Sequence, residues 1–311
     1  MTRADDNLGA NQSPDIKSQE LTEDARLQAI LQSPSYRRAD VDLDWIGSPE
    51  MRGARLLLEY AKPQIKLVRE NVRSTIVLFG STRIVEPAEA QRRLQSAQLA
   101  ASAAPADEEL ARRVRVAERI VDKSLYYEVA REFSQMVSKA FQSDDERHLV
   151  VVTGGGPGIM EAGNRGAYEV GAKSIGFNIT LPGEQAPNSY VTPEFCFQFR
   201  YFALRKMHFL AAAKALIAFP GGYGTLDELM GTLCLIQTQV VRPVPVVLVG
   251  EAFWKRALDA DFLCEEGMID PAHVNLFIYA ETAVEIRDKI IAWYTERGAD
   301  PLTGPPPYLS E

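Results

Sequence analysis

The stretch AFPGGYGTLDELMG, residues 218–231, gathers groups suited to a phosphorylated sugar. Gly221, Gly222 and Gly224 precede Thr225 and the carboxylates Asp227 and Glu228. Glycines leave backbone N–H groups open to an anion, and a helix start adds a favourable dipole. The chemistry would be a phosphate grip with a carboxylate one turn away. A structural reading competes with it. Thr225 and Glu228 have the T-x-x-E spacing of a capping box, in which side chains satisfy the first N–H groups of a helix.

Two more turns share this character: FGSTR at 79–83 and TGGGPGIMEAGNRGA at 153–167. They offer Gly80, Ser81, Gly155 and Gly156 as further anion contacts. The second turn fails the dinucleotide fingerprint G-x-G-x-x-G. Counted from Gly154 or from Gly156 the third glycine is missing, and Glu161 stands where the second register needs it. No Lys-Ser/Thr pair follows the glycines, so a Walker A loop is also excluded. The expected ligand is a small phosphorylated molecule. Glu161 is open to two readings, a second carboxylate at the ribose or a cap for the helix that begins near Gly158. Upstream of the third turn, LRKMHFL supplies Arg205 and Lys206. Arginine stays charged near neutral pH, which suits it to holding phosphate or ribose oxygens rather than donating a proton. Lys206, next along the helix, is expected to point elsewhere, as a secondary anion contact or a plain surface lysine. Glu228 is expected to be ionised, favoured by the helix start. His148, His208 and His273 lack metal spacing and read as structural.

These turns need a frame. STIVLFG, HLVVVTGGG, KSIGFNI, KALIAFPGG and VPVVLVG are apolar runs bounded by glycine, as parallel strands covered on both faces require. Helical patterns near 122–141, 158–170, 201–213 and 225–239 separate them. The alternation predicts an α/β fold: a Rossmann-like, doubly wound, mainly parallel sheet with helices on both faces. In such a sheet the turns after the strands converge on one crevice. EFCFQF alternates, as an edge strand or pocket wall would, and at least two of its phenylalanines should be core. A segment near 86–121 reads as two helices around a loop at 101–107. Residues 1–73 form an N-terminal extension, disordered over 1–18 and helical beyond. SPEMRGARLLLEYAKPQI should start a helix with Ser48 as cap and Pro49 first. The catalytic domain is placed at 74–311.

The chain has 311 residues, 46% of them hydrophobic, enough for a sizeable core. Its net charge of −8 argues against broad nucleic-acid binding. Cys196, Cys234 and Cys264 form no C-x-x-C pair and are expected to be buried in a reducing compartment. The first twenty residues carry no signal-peptide core, and no apolar run is long enough to cross a bilayer. A soluble cytoplasmic protein without membrane attachment is expected.

Pro220, Gly221, Gly222, Gly224, Thr225 and Glu228 meet P-G-G-x-G-T-x-x-E in full. With Arg205 and Lys206 upstream, the chain resembles the LOG family from residue 74 onward. These phosphoribohydrolases release cytokinin bases from riboside 5′-monophosphates, and bacterial relatives cleave AMP or similar nucleotides. The family was long labelled lysine decarboxylase. The Glu161 form of the second turn, the helical insertion and the extension resemble its longer bacterial branch. The resemblance implies hydrolysis of the N-glycosidic bond of AMP or an N6-modified AMP, giving free base and ribose 5-phosphate. Arg205 and Glu228 match the family's catalytic pair. No cofactor or metal is implied, and a homodimer or higher homo-oligomer is. The alternative is a non-catalytic nucleotide-binding or molybdenum-cofactor carrier protein of the same fold.

Overall fold

The computed structural model describes residues 22–143, 145–183 and 186–302, so the expectation for residues 1–18 lies outside the described residues. The chain divides into two compact units, Met1–Arg55 and Leu56–Glu311. In the first, helix α1 (Glu23–Gln32) is capped by Thr22, whose hydroxyl accepts from the Ala25 N–H. Helix α2 (Leu43–Gly47) is capped by Asp42 in the same way. The helix expected from Pro49 opens instead with one 3-10 turn, Pro49–Met51, and Ser48 makes no side-chain cap. Helix α3 (Arg52–Arg69), with Pro63 inside it, belongs to the second unit from Leu56 onward.

In chain order the second unit then adds β1 (Thr75–Phe79), α4 (Pro87–Ala103), α5 (Glu108–Lys123), α6 (Leu125–Phe141), β2 (Val150–Thr153), α7 (Ile159–Glu169), β3 (Ser174–Ile179) and β4 (Cys196–Phe199). It continues with α8 (Phe202–Ala211), β5 (Ala213–Ala218), α9 (Tyr223–Gln237), β6 (Val246–Val249), α10 (Glu251–Ala257), α11 (Ala260–Glu265), β7 (Ile278–Ala280) and α12 (Ala283–Thr295). The strands form one parallel sheet in the order β4-β3-β2-β1-β5-β6-β7.

The sheet is hydrophobic on both faces because successive side chains alternate. Ile76 and Leu78 of β1 enter a cluster with Tyr127 and Phe133 of α6, Ile159 of α7 and Ile286 of α12. Val77 and Phe79 enter the opposite cluster, with Phe177, Phe209 of α8, Leu229 of α9 and Trp254 of α10. Burying each such side chain is worth about 1.5–3 kcal/mol, which fixes which face every strand residue takes. Phe195, Phe197 and Phe199 all join this second cluster, and β4 is an edge strand. The cysteines differ from expectation: Cys234 is exposed, and Cys196 and Cys264 are half-buried.

The strand order has a direct consequence for function. From β1 the chain steps outward through β2, β3 and β4, then returns to the other flank of β1 with β5. The connections after β1 and β5 therefore diverge, which opens a crevice at the carboxyl ends of these two strands.

Candidate active site

All three polar turns meet at that crevice. Main-chain bonds tie them together. The Ser81 N–H donates to the Pro220 carbonyl at 3.0 Å, and the Ile159 N–H donates to the Ser81 carbonyl at 3.2 Å. At the second turn the Asn188 N–H donates to the Gly155 carbonyl at 2.8 Å, and the Gly155 N–H donates to Thr153 Oγ1 at 2.9 Å. Gly158 has φ +73°, and a Cβ there would overlap the Ser81 carbonyl, so only glycine lets the two turns touch.

The crevice is a cavity of about 720 Å³. Gly80, Ser81, Gly156, Arg205, Gly222, Gly224, Thr225 and Glu228 line it together. Gly155 and Gly221 stand just behind this lining. A Cβ on Gly155 would meet the Asn178 side chain at 2.5 Å, and one on Gly221 would meet Thr225 Cβ at 2.5 Å. A second cleft of about 830 Å³ lies by β7 among Lys255, Tyr279, Lys289 and Trp293, and none of the glycine turns contributes to it.

Helix α9 begins earlier than the capping-box reading requires. Its cap is Gly222, and its first closed turn is the bond from the Leu226 N–H to the Gly222 carbonyl at 3.0 Å. Thr225 is the third helical residue and Glu228 the sixth, so neither caps the helix. The N–H groups of Tyr223, Gly224 and Thr225 precede the first intrahelical donor and face the crevice end of α9. One turn further in, Glu228 is only 4% exposed.

Two cations flank Glu228. Arg205 Nη2 lies 3.6 Å from Oε1, and Lys206 Nζ lies 3.3 Å from Oε2. Lys206 thus turns toward the carboxylate, contrary to expectation. It also pairs with Asp227 at 3.1 Å and donates to the Asp227 carbonyl at 2.8 Å. Arg205 rests over the rings of Phe202 and Phe209, at 5.0 and 5.6 Å. Its Nε and Glu228 Oε1 are buried without a hydrogen-bond partner among the described residues. Burial pushes the Glu228 carboxyl above the ordinary value of 4.5, while Lys206 and Arg205 pull it back. The helix start is expected to favour the ionised form, but burial outweighs it in direction, because the dipole fades within the first turn and Glu228 lies beyond it. Burial likewise lowers Arg205, opposed by Glu228 and Asp227.

Glu161 does not line the cavity, and α7 has Gly158 as its cap with no side-chain bond. Its Oε1 accepts from Tyr127 Oη at 2.8 Å, within the cluster on the far face of the sheet. Asn164 is wholly buried in a network. It accepts from Thr153 and Asn188, and donates to Ser174. Arg165 pairs with Glu86 and Glu169. Sequence reasoning passed over Arg83, Met160, Asn178, Ile179, Leu181, Phe202, Phe209 and Tyr223, which also line the wall. Phe202 and Phe209 had a signal: they sit three before and four after Arg205, on its helix face. The others come from loops, the end of β3 and the first turns of α7 and α9, where spacing carries no such signal.

The family model described as "Possible lysine decarboxylase" matches residues 160–290. A cytokinin riboside 5′-monophosphate phosphoribohydrolase of Arabidopsis thaliana is 30% identical over 149 residues, covering 46% of this chain and 67% of that protein. A probable cytokinin riboside 5′-monophosphate phosphoribohydrolase of Oryza sativa subsp. japonica is also 30% identical, covering 47% of this chain and 64% of its relative. Among solved structures, the molybdenum cofactor binding protein of Rippkaea orientalis aligns over 54% of this chain and 87% of its own, at 17% identity and a TM-score of 0.39. By its match to these plant proteins, the chain belongs to the LOG family.

Proposed function

We propose that the protein hydrolyses the N-glycosidic bond of a nucleoside 5′-monophosphate, AMP or an N6-modified AMP, to the free base and ribose 5-phosphate. One observation carries the reading: a buried carboxylate, Glu228, lies one helical turn from open N–H groups, inside one cavity. The 5′-phosphate takes the N–H groups of Gly222, Gly224 and Thr225, with Gly80 and Ser81 closing from β1. A rise of about 1.5 Å per residue puts Glu228 about 6 Å further along the helix, at the sugar. Bond cleavage builds positive charge on the ribose, as in other glycoside hydrolyses. An ionised Glu228 stabilises that charge and orients the attacking water. A carboxyl raised by burial is also better matched to accepting a proton near neutral pH. Arg205 holds substrate oxygens by charge-assisted hydrogen bonds. Met160, Ile179, Leu181 and Phe202 supply an apolar wall for the base.

The decarboxylase description would imply pyridoxal phosphate, which needs a lysine for its Schiff base. The residues do not fit that group. No lysine lines the cavity among the described residues, and Lys206 is held by Asp227 and Glu228. The plant relatives' names support hydrolysis. We extend the reading to a homo-oligomer. Phe202 and Tyr223 line the cavity yet are 52% and 92% exposed, as surfaces awaiting a second copy would be.

Release of ribose 5-phosphate from AMP, GMP, CMP and an N6-prenyl AMP, with adenosine as the phosphate-free control, tests the activity. Release from monophosphates alone upholds it. Nucleotide binding without release assigns the chain to the carrier class instead.

A further inference from the structure

Helix α8 carries both Arg205 and Lys206, yet it starts without a cap of its own. Its N-cap is Tyr201, which makes no side-chain bond, and its first turn has no acidic residue. The preceding strand β4 ends at Phe199, so the N–H groups of Arg200 and Tyr201 belong to neither ladder. Both are satisfied from 141 and 142 residues away. Glu59 Oε1 accepts from the Arg200 N–H at 2.6 Å and from the Tyr201 N–H at 3.0 Å.

Tyr201 is the point of leverage. Its carbonyl accepts from the Arg205 N–H at 3.2 Å, the first intrahelical bond of α8. Glu59 therefore holds the N–H of the residue whose carbonyl anchors the Arg205 backbone. The next residue of α3 grips the other end of α8. His208 Nε2 donates to the Tyr60 carbonyl at 3.0 Å, and the two rings meet edge to face at 5.4 Å. Pro63 has no N–H, so the Glu59 backbone carbonyl lacks its helical donor. Pro63 itself is buried.

From this chain of contacts we infer that Glu59 is a positioning residue for the reaction, acting on Arg205 through Tyr201. The inference rests on the proposed hydrolysis. Arg205 faces Glu228 across 3.6 Å, so a small shift of α8 alters the charge beside the reacting sugar. Misplacement of that order costs rate more than binding, because the phosphate is held by α9.

The test compares Glu59→Ala and Glu59→Gln in the full chain. The amide oxygen of glutamine still accepts both N–H groups. The expected result is a kcat on AMP about tenfold lower in the alanine variant, with KM within about twofold. Glutamine should restore kcat to within about threefold of the unchanged protein. Hydrogen exchange at the Arg200 and Tyr201 amides should quicken with alanine and not with glutamine. Unchanged exchange in Glu59→Ala overturns the inference, as does quickened exchange with unchanged kcat, or equal loss of kcat in both variants. If the unchanged protein releases no ribose 5-phosphate, the functional reading has failed and the positioning role falls with it. The exchange rates then report separately on the Glu59 contact.

Discussion

Glu228 is held between opposing forces. Burial raises its pKa, and Lys206 and Arg205 lower it. The native state therefore binds the Glu228 proton more tightly than the unfolded chain, and this group costs stability as pH rises above 4.5. Carboxylates perturbed by burial in this way cluster at functional sites. Glu228→Gln keeps the shape and removes the charge, so kcat should fall about 10²–10³-fold with KM little changed. Steady-state kinetics on AMP checks this, and a variant within a few fold of the unchanged protein would remove Glu228 from the chemistry. Lys206 offers a finer probe. Its ammonium favours the ionised carboxylate, so Lys206→Met should raise the Glu228 pKa further. In the proposed mechanism activity depends on the ionised form, so the acid limb of the kcat/KM profile should move to higher pH. Had Lys206 been a plain surface residue, the limb would stay in place.

At the scale of elements, the third glycine turn combines two different glycines. Gly221 is packed: a Cβ would crowd Thr225 and force the first turn of α9 to move. Gly224 is open, with nothing within 4 Å of where a Cβ would sit, and it lies inside the helix. Gly224→Ala should raise the melting temperature, since alanine is favoured over glycine in a helix by up to about 1 kcal/mol. It should also raise KM for AMP about tenfold by filling space at the cavity wall. Gly221→Ala should lower the melting temperature and weaken binding together. Thermal melts beside KM values separate the two. The T-x-x-E pattern was legible at this turn and misleading, because the backbone closes on Gly222 before Thr225 is reached. The same spacing at Thr282 and Glu285 does cap a helix, α12, where the Thr282 hydroxyl accepts from the Glu285 N–H at 3.2 Å. Identical spacing thus has two outcomes, set by what precedes it. Five of the strands and the edge strand β4 were legible from their apolar runs. The three residues of β7 are too few to show a period.

At the scale of the whole chain, the boundary between extension and catalytic core is a physical question about α3. Composition changes at Ser74, where the first strand pattern begins, and from sequence alone residues 1–73 read as one extension. Contacts divide the chain at Arg55 and Leu56 instead, leaving Glu59, Tyr60 and Pro63 with the sheet. Sequence could not reveal this, because the bonds from Glu59 and Tyr60 run to residues more than 140 positions away. Leu67 and Val72 also pack against the cluster beneath α8 and α9. A chain starting at Leu56 should therefore retain the kcat of the full protein within about threefold, since the groups that brace α8 remain. A chain starting at Ser74 loses the acceptor for Arg200 and Tyr201, the carbonyl for His208 and part of the apolar cover. Losing these bonds, two of them part-buried, together with apolar cover should make this shorter chain melt at lower temperature and turn over poorly. Comparing the two by thermal melt and by ribose 5-phosphate release decides where the working enzyme begins. Equal behaviour would return α3 to the extension. A loss confined to the Ser74 chain would make the last turns of that extension part of the active-site scaffold.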